Sequence, residues 1–387
     1  MRYAVTGKKC FDGKKVVRDF CFLVDGDKIA AFGSREDLIK DDIEVIDCGD
    51  RLVTPGLIDS HVHVCIDPYH FGLIDSAVEM TVTIEENLKT LLKHGIVYIR
   101  DVGAPAGYMK AVKKLVAVGR IQGPDLKIAG QAISATGGHG WLMSKESNSK
   151  EDICRYVREN VKEGVDLIKL MVTGGINTPG DELAPLELSE EEIRVAVTEA
   201  HRRGRKVAVH THGRTGIEVA LKCGVDSIEH GLLMDEALAE IAREKGTYLV
   251  PTLSAPYFAA VQGLKKDPNS KSFLKSKEVM EVHRKNVRHA YETGVKLAMG
   301  TDSGTPFNGF DTVLEELVLL KQIGIPAEEV FRIATAGSAD LLDISKTHGT
   351  LDAGKQASFV IFEADPLENM EEVRNIYKVY KNGVAVK

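Results

Sequence analysis

Residues 204–230 read GRKVAVHTHGRTGIEVALKCGVDSIEH, and this stretch decides the fold. A glycine introduces the short β-branched run KVAVH, a helical stretch follows, and Gly224 then introduces a second run, VDSIEH. Glycine supplies the left-handed backbone that ends a helix. Short apolar runs behind such a turn have the character of parallel strands buried on both faces. The same punctuation recurs in both directions. Gly95 precedes IVYI, Gly164 precedes VDLIKLMV, Gly246 precedes TYLVPTL and Gly294 precedes VKLAMG. With LVTPGLIDSHV counted first and PDLKIAGQAI third, eight strands alternate with helices. That alternation predicts an α/β fold of the (β/α)8 barrel type, with reactive groups at the strand C-termini. Thr83 with Glu86 and Ser189 with Glu192 have the spacing of capping boxes, and Ser149 is a further N-cap.

Strand-like sequence also sits at both ends of the chain. Residues 16–32, VVRDFCFLVDGDKIAAF, carry two β-rich runs around Asp25-Gly26, and Asn382-Gly383 separates IYKVY from VAVK. Residues 358–366, SFVIFEADP, read as another strand. Terminal segments of one character are expected to meet, so residues 1–54 and 350–387 are assigned to a small composite β-sandwich and residues 55–349 to the barrel. A chain of 387 residues fits this plan, being longer than an ordinary domain of about 100–200 residues.

Composition narrows the function. Fifty Lys and Arg against 57 Asp and Glu, net charge -7, argue against a nucleic-acid partner. No apolar run approaches the roughly 18 residues that span a bilayer, and MRYAVTGKKCF has no apolar signal-peptide core. These features imply a cytoplasmic protein without a membrane partner, acting on a small-molecule substrate; assembly into a homo-oligomer is left open. The six cysteines form no C-x-x-C pair and read as reduced, buried, small hydrophobes. Cys65, close to His63, could also be read as a ligand or nucleophile, but burial is the favoured reading.

The first strand ends in Asp59-Ser60-His61-Val62-His63. Residues two apart on a strand share a face, so His61 and His63 look into the barrel mouth, where two imidazoles can share one cation. The fifth strand brings His210 and His212 to the same rim, the sixth His230, and the eighth Asp302 within GTDSG. The fourth carries Lys169 in an otherwise apolar run. Burial disfavours an ammonium. Lys169 is therefore either ion-paired with Asp302 or, the favoured reading, converted by carbon dioxide into a carbamate whose negative charge can bridge two cations. Three long segments follow strands 3, 4 and 7: SATGGHGWLMSKESN, TGGINTPGDELAPLEL and SAPYFAAVQGLKKDPNSKSF. They read as lids or substrate loops, with a disordered insertion as the alternative for the third.

TPGLIDSHVHV, the lysine of strand 4, VAVHTHG, SIEHG and GTDSG together resemble the metal-dependent amidohydrolase superfamily. With the TGGHG loop, the chain is similar to its imidazolonepropionase-like and prolidase-like (Xaa-Pro dipeptidase, carboxypeptidase) branch. The motifs run from residue 54 to 304, and the terminal β-sandwich matches the family plan. The resemblance implies two divalent metal ions, most simply Zn²⁺, with Mn, Fe or Co open. His61, His63 and Asp302 would hold the more buried ion, His210 and His230 the other, and carbamylated Lys169 would bridge them. The implied reaction is hydrolysis of the amide (C–N) bond of a small peptide-like, N-acyl amino acid or cyclic amide substrate by a metal-bridging hydroxide. Asp302 would act as general base then general acid, and His212 would stabilise the oxyanion, where some relatives place Tyr. His139, Trp141 and Arg214 are candidates for substrate binding, with a solvated first-turn helix residue as the alternative for Arg214. Trp141 stands where many relatives have an acid, in GGHGD, which points away from a basic C-terminal residue. Hydrolysis of a lactone or phosphotriester on the same centre is the alternative reaction, and a metal-free scaffold the non-enzymatic one.

Overall fold

The computed structural model describes residues 1–39, 43–70, 72–73, 76–104, 107–176, 183 and 185–386. The chain opens with β1 (Arg2–Phe11), β2 (Val16–Asp25), β3 (Lys28–Gly33), β4 (Glu44–Asp47) and β5 (Val53–Pro55). Strands and helices then alternate: β6 (Leu57–Val62), α1 (Ala77–Lys93), β7 (Ile96–Asp101), α2 (Tyr108–Ala117), β8 (Asp125–Ile128), β9 (Ala132–Ala135), β10 (Ser144–Ser147) and α3 (Lys150–Glu163). The alternation continues through β11 (Leu167–Met171), α4 (Glu190–Arg202), β12 (Lys206–Thr211), α5 (Arg214–Cys223), β13 (Ser227–His230), α6 (Glu236–Lys245), β14 (Tyr248–Val250) and α7 (Lys271–Thr293). Helix α8 (Glu315–Gln322) comes before the closing strands β15 (Phe359–Phe362), β16 (Ile376–Lys381) and β17 (Val384–Ala385).

Strands from the two ends pair into one mixed sheet in the order β17-β16-β15-β5-β1-β2-β3, with β4 against β1. In hydrogen-bonding terms the expected sandwich is therefore a single sheet. Its residues alternate as strand geometry requires. Tyr3, Val5, Phe20, Phe22 and Val24 join Phe359 and Tyr380 in one apolar cluster, while Ala4, Cys21 and Leu23 bury the opposite face. Asn382 and Gly383 both adopt positive φ, 51° and 77°, between β16 and β17, the geometry of a type I′ hairpin turn.

The alternating segment is a TIM-barrel-like α/β unit. Its parallel strands form two regular sheets, β8-β7-β6 and β10-β9-β11-β12-β13-β14. The single third strand expected over PDLKIAGQAI is broken: Gly130 at φ 65° separates β8, which pairs with β7, from β9, which pairs with β11. The eighth segment is not a regular strand either. Its Lys296 carbonyl accepts from Leu249 N at 2.9 Å on one side, and its Met299 carbonyl accepts from Ser60 N at 2.7 Å on the other.

Helix ends follow local chemistry. Gly164, Gly224, Gly246 and Gly294 each close a helix in the left-handed conformation. Both bonds of the Ser189–Glu192 capping box form, and Ser149 caps α3. The Thr83–Glu86 expectation is corrected. The cap of α1 is Ser76, which accepts from Glu79 N, so Thr83 lies inside the helix. One buried apolar layer joins Leu57, Leu170, Val209 and Ile228 of the strands to Leu88, Val157 and Ile217 of the helices.

The segment after β14 is helical rather than a disordered insertion: it runs Ser254–Phe258, Ala259–Gly263 and Leu264–Lys266, then enters α7. In the loop after β9, a single turn at Trp141–Met143 leads into β10. Much of the loop expected after β11, residues 177–182 and 184, lies outside the described residues. None of the described helices is long and apolar enough to cross a membrane.

Candidate metal centre

Strand alternation decides which side chains enter the mouth. On β11, Ile168 and Leu170 pack into the helix layer, so Lys169 faces inward; on β12, Val207 and Val209 do the same and leave Ala208 and His210 inside. Neighbouring strands keep these positions in register, with Lys169 opposite Ala208 and Met171 opposite His210. On β13, Ile228 faces the helices while Ser227 and Glu229 hydrogen-bond to each other inside. His230 would by strict alternation point outward with Ile228. Its left-handed backbone, φ 68°, turns it into the cavity. Thr252 and Asp302, at other strand ends, are also left-handed, at 53° and 59°. Such conformations are costly away from glycine and concentrate at functional sites.

Hydrogen-bond accounting places a hydrogen on the outer ring nitrogen of three histidines. His61 Nδ1 lies 2.7 Å from Glu229 Oε2, and His63 Nδ1 lies 3.0 Å from Gly103 O. Both oxygens only accept, so each Nδ1 carries a hydrogen and each Nε2 is the nitrogen left for Asp302. Thr252 Oγ1 already donates to Pro251 O, so it accepts from His230 Nδ1 at 2.7 Å, and because burial and the neighbouring imidazoles keep this ring neutral, His230 Nε2 is bare. Ligating histidines characteristically show this arrangement, with the outer ring nitrogen held by an oxygen.

The Nε2 atoms of His61 and His63 each lie 3.3 Å from Asp302 Oδ1. Burial opposes a second proton on His63 while Asp302 draws one on, so these contacts can hold protons or, in their place, a shared cation. His61, His63 and Asp302 form a group whose donor atoms lie within 4.8 Å of one another, and this donor set fits a divalent metal ion. The backbone supports it. Asp302 N donates to His61 O at 2.7 Å, and Asp59 accepts from Thr301 Oγ1 at 2.7 Å and from His61 N at 3.1 Å. Gly300 permits this approach, since a Cβ there would lie 2.3 Å from Val250 Cγ1 and 2.7 Å from His61 Cβ.

A second group borders the first. The His210 and His230 rings are 4.5 Å apart, His210 and His212 also 4.5 Å, and His61 and His230 5.0 Å. Burial, and then the neighbouring imidazoles, push all of His210, His212 and His230 well below the ordinary histidine range. They are neutral and able to ligate. His210 Nε2 and His212 Nδ1 are buried without a hydrogen-bond partner among the described residues. Burial also pulls the Lys169 ammonium down to about 8. The sequence reading of this lysine as an ion pair with Asp302 has no such contact among the described ion pairs.

Two residues central to the site were missed in the sequence. Glu229, fully buried, accepts from His61 and from Arg100 Nη2, whose distances to its two oxygens are 2.8 and 2.9 Å. Burial alone would raise its carboxyl, but Arg100 and then His61 hold it down at about 2. Thr252 is the other. The SIEH motif contained Glu229 in plain view, and its place two residues after Ser227 on an inward face was the available signal.

The mouth opens into a cavity of about 320 Å³ whose walls include Ile66, Leu142, Met143, Met171, Leu232 and Pro306. His139 lines it, stacked 4.2 Å from His210. Arg214 does not: its guanidinium is taken by Asp235 at 2.7 Å and Glu218 at 3.1 Å on the surface, in the first turn of α5. Trp141 is 44% exposed and outside the lining, while Gly140 and Leu142 on either side contribute to it. Cys65 is buried, and its thiol is pushed up by burial and then by Asp101, in keeping with a core residue.

The amidohydrolase family matches residues 52–386. An ochratoxinase from Aspergillus niger is 30% identical, over 94% of this chain and 82% of that protein. Among solved structures, a Xaa-Pro dipeptidase with methionine bound in the active site is 30% identical, with TM-score 0.91 over 100% of this chain and 99% of that one. A prolidase complexed with N-methylphosphonate-L-proline is 26% identical, with TM-score 0.92 over all of both chains. The family is typically metal-dependent, and the His61–His63–Asp302 cluster could hold a metal ion. The chain therefore belongs to the amidohydrolase family and is a hydrolase acting on C–N bonds.

Proposed function

We propose that this protein is a binuclear metal-dependent hydrolase that cleaves the amide bond of a small peptide-like, N-acyl amino acid or cyclic amide substrate. The observation that carries the reading is the convergence of the His61 and His63 ring nitrogens on the Asp302 carboxylate, with His210, His230 and buried Lys169 beside them. His61, His63 and Asp302 would hold one ion and His210 and His230 a second. Lys169, drawn toward its neutral amine by burial, would add carbon dioxide: a nitrogen–carbon bond forms, the nitrogen loses a proton, and the resulting anion joins the two sites. Only an anion suits a position between two cations. The parallel strands are read as one closed (β/α)8 barrel over residues 55–349, with 1–54 and 350–387 as the accessory β unit.

Bound divalent metal, most simply Zn²⁺, supplies Lewis acidity and lowers the pKa of water from about 15.7 to about 7. The chain's own groups do the rest. Asp302 accepts a proton from the attacking water and returns it to the leaving nitrogen. His212 donates to the carbonyl oxygen as charge builds on it. His139, on the cavity wall, meets the substrate carboxylate. The apolar wall receives a neutral or aromatic substituent, in keeping with the methionine and N-methylphosphonate-L-proline of the similar structures.

A panel of N-acyl amino acids, dipeptides and cyclic amides, compared with lactones and phosphotriesters on metal-loaded protein, tests the reading. Amide turnover should dominate. Turnover confined to lactones or phosphotriesters would replace it with the alternative hydrolase.

A further inference from the structure

The turn that carries His230 into the cavity leaves three carbonyls in a buried bend, at His230, Gly231 and Leu232. Gly231 is left-handed too, at φ 60°. Carbonyls of a left-handed bend cannot continue the strand ladder, and each needs another donor. Gly231 O accepts from Met234 N at 2.9 Å within the turn. The other two are served by α7. His283 Nε2 lies 2.9 Å from His230 O, and Asn286 Nδ2 donates to Leu232 O at 2.8 Å. His283 and Asn286 are three residues apart and so share a helix face. Because a carbonyl only accepts, His283 Nε2 carries the hydrogen, and its bare Nδ1 has no partner among the described residues.

Helix α7 is itself fixed near its start, where Lys275 donates to Gly175 O at 3.1 Å beyond β11. The helix thus spans from the loop after β11 to the bend after β13. At the far side of the bend, the His230 ring is held by Thr252. Backbone and ring are thus held by separate partners, His283 and Thr252, and the bare Nε2 is left to face the cavity.

We propose that His283, aided by Asn286, is a positioning residue that clamps the left-handed backbone of His230 and so aims its Nε2 into the metal centre. The inference rests on the reading of His230 as a ligand of the second metal. Outer partners of this kind typically change metal affinity or activity by about 10- to 100-fold.

His283→Gln keeps a donor near the Nε2 position, whereas His283→Asn brings its amide only as far as Nδ1 would reach. Asn286→Ala provides a milder break on the same face. Each is titrated with Co²⁺ while the visible spectrum and thermal melting are followed. Kinetics on a substrate amide and the imidazole ¹⁵N spectrum of metal-free, ¹⁵N-histidine-labelled protein complete the set. His283→Asn should weaken the second Co²⁺ by about 10- to 100-fold, lower kcat more than it raises KM, and lose the His230 Nδ1–H signal. His283→Gln should restore all three to within about threefold of the parent, and Asn286→Ala should fall between. Equal behaviour of the Gln and Asn variants, or a lowered melting temperature with unchanged Co²⁺ spectrum and His230 signal, would overturn the clamp. A parent protein that takes up one Co²⁺ would instead refute the binuclear reading, and the His230 signal would still decide the clamp.

Discussion

Glu229 accepts the Nδ1 hydrogen of His61 at 2.7 Å while Arg100 closes on both of its oxygens, so a fully buried ion pair sets which nitrogen of His61 faces the metal centre. Arg100 also donates to Ser60 O and to Ser227 Oγ, tying β6, β7 and β13 together beneath the site.

Removing Arg100 strands a buried carboxylate. Arg100→Met should destabilise the fold by about 3–5 kcal/mol, the usual result of breaking a buried pair from one side. Glu229→Gln removes the charge that holds the His61 tautomer and should cost about 10- to 100-fold in metal affinity. Denaturant unfolding and competition with a chelator measure the two effects.

A second cluster, remote from the metal centre, controls acid stability. Hydrogen bonds from Arg158 and then Arg203 hold Glu199 down at about 2, from an ordinary 4.5. A depressed folded-state carboxyl contributes stability that is present above its unfolded pKa and is lost as pH falls through the folded one. Glu199→Gln should therefore lower the melting temperature at pH 6, and its gap from the parent should close between about pH 4.5 and 2. A gap that stays constant over that window would contradict the assignment.

Lys169→Ala should lose metal and activity together, because the position then offers no anion between the two groups. A short carboxylic acid able to occupy the vacated space should restore part of both. Metal analysis and rates with and without added acid provide the check, and unmodified lysine in the density of fully metallated protein would contradict the carbamate.

Asp302→Asn keeps one ligating oxygen but cannot carry a proton. It should hold much of its metal and lose at least two orders of magnitude on amides, within the ~10²- to 10⁴-fold of general acid–base steps. Activated aryl esters, whose leaving group needs no proton, should suffer less. Equal losses on both, with metal content unchanged, would remove Asp302 from the proton transfer.

Much of the site was legible because its spacing is local. His61 and His63 lie two apart at a strand end, and glycine before a β-branched run marks where such strands begin. Ser189 with Glu192 and Asn382-Gly383 were readable for the same reason, since cap and turn chemistry act over three or four residues. What escaped the sequence depends on partners far along the chain. Arg100 meets Glu229 across 129 positions and His283 meets His230 across 53. The surface partners of Arg214, Asp235 and Glu218, were likewise not legible in the sequence. His230 reaches the cavity through a backbone conformation that no alternation pattern encodes. The breaks in the third and eighth strands have the same character. Gly130 ends one pairing and begins another, and the eighth segment bends to bring Asp302 over His61 and His63.

The central claim is that two metal ions share one site on this chain, and metal content measured against amide turnover in the same preparation tests it most directly. Metal-free protein titrated with Zn²⁺ should gain activity only as the second ion binds, and should reach full turnover at two ions per chain. Full amide turnover at one ion per chain would contradict the account.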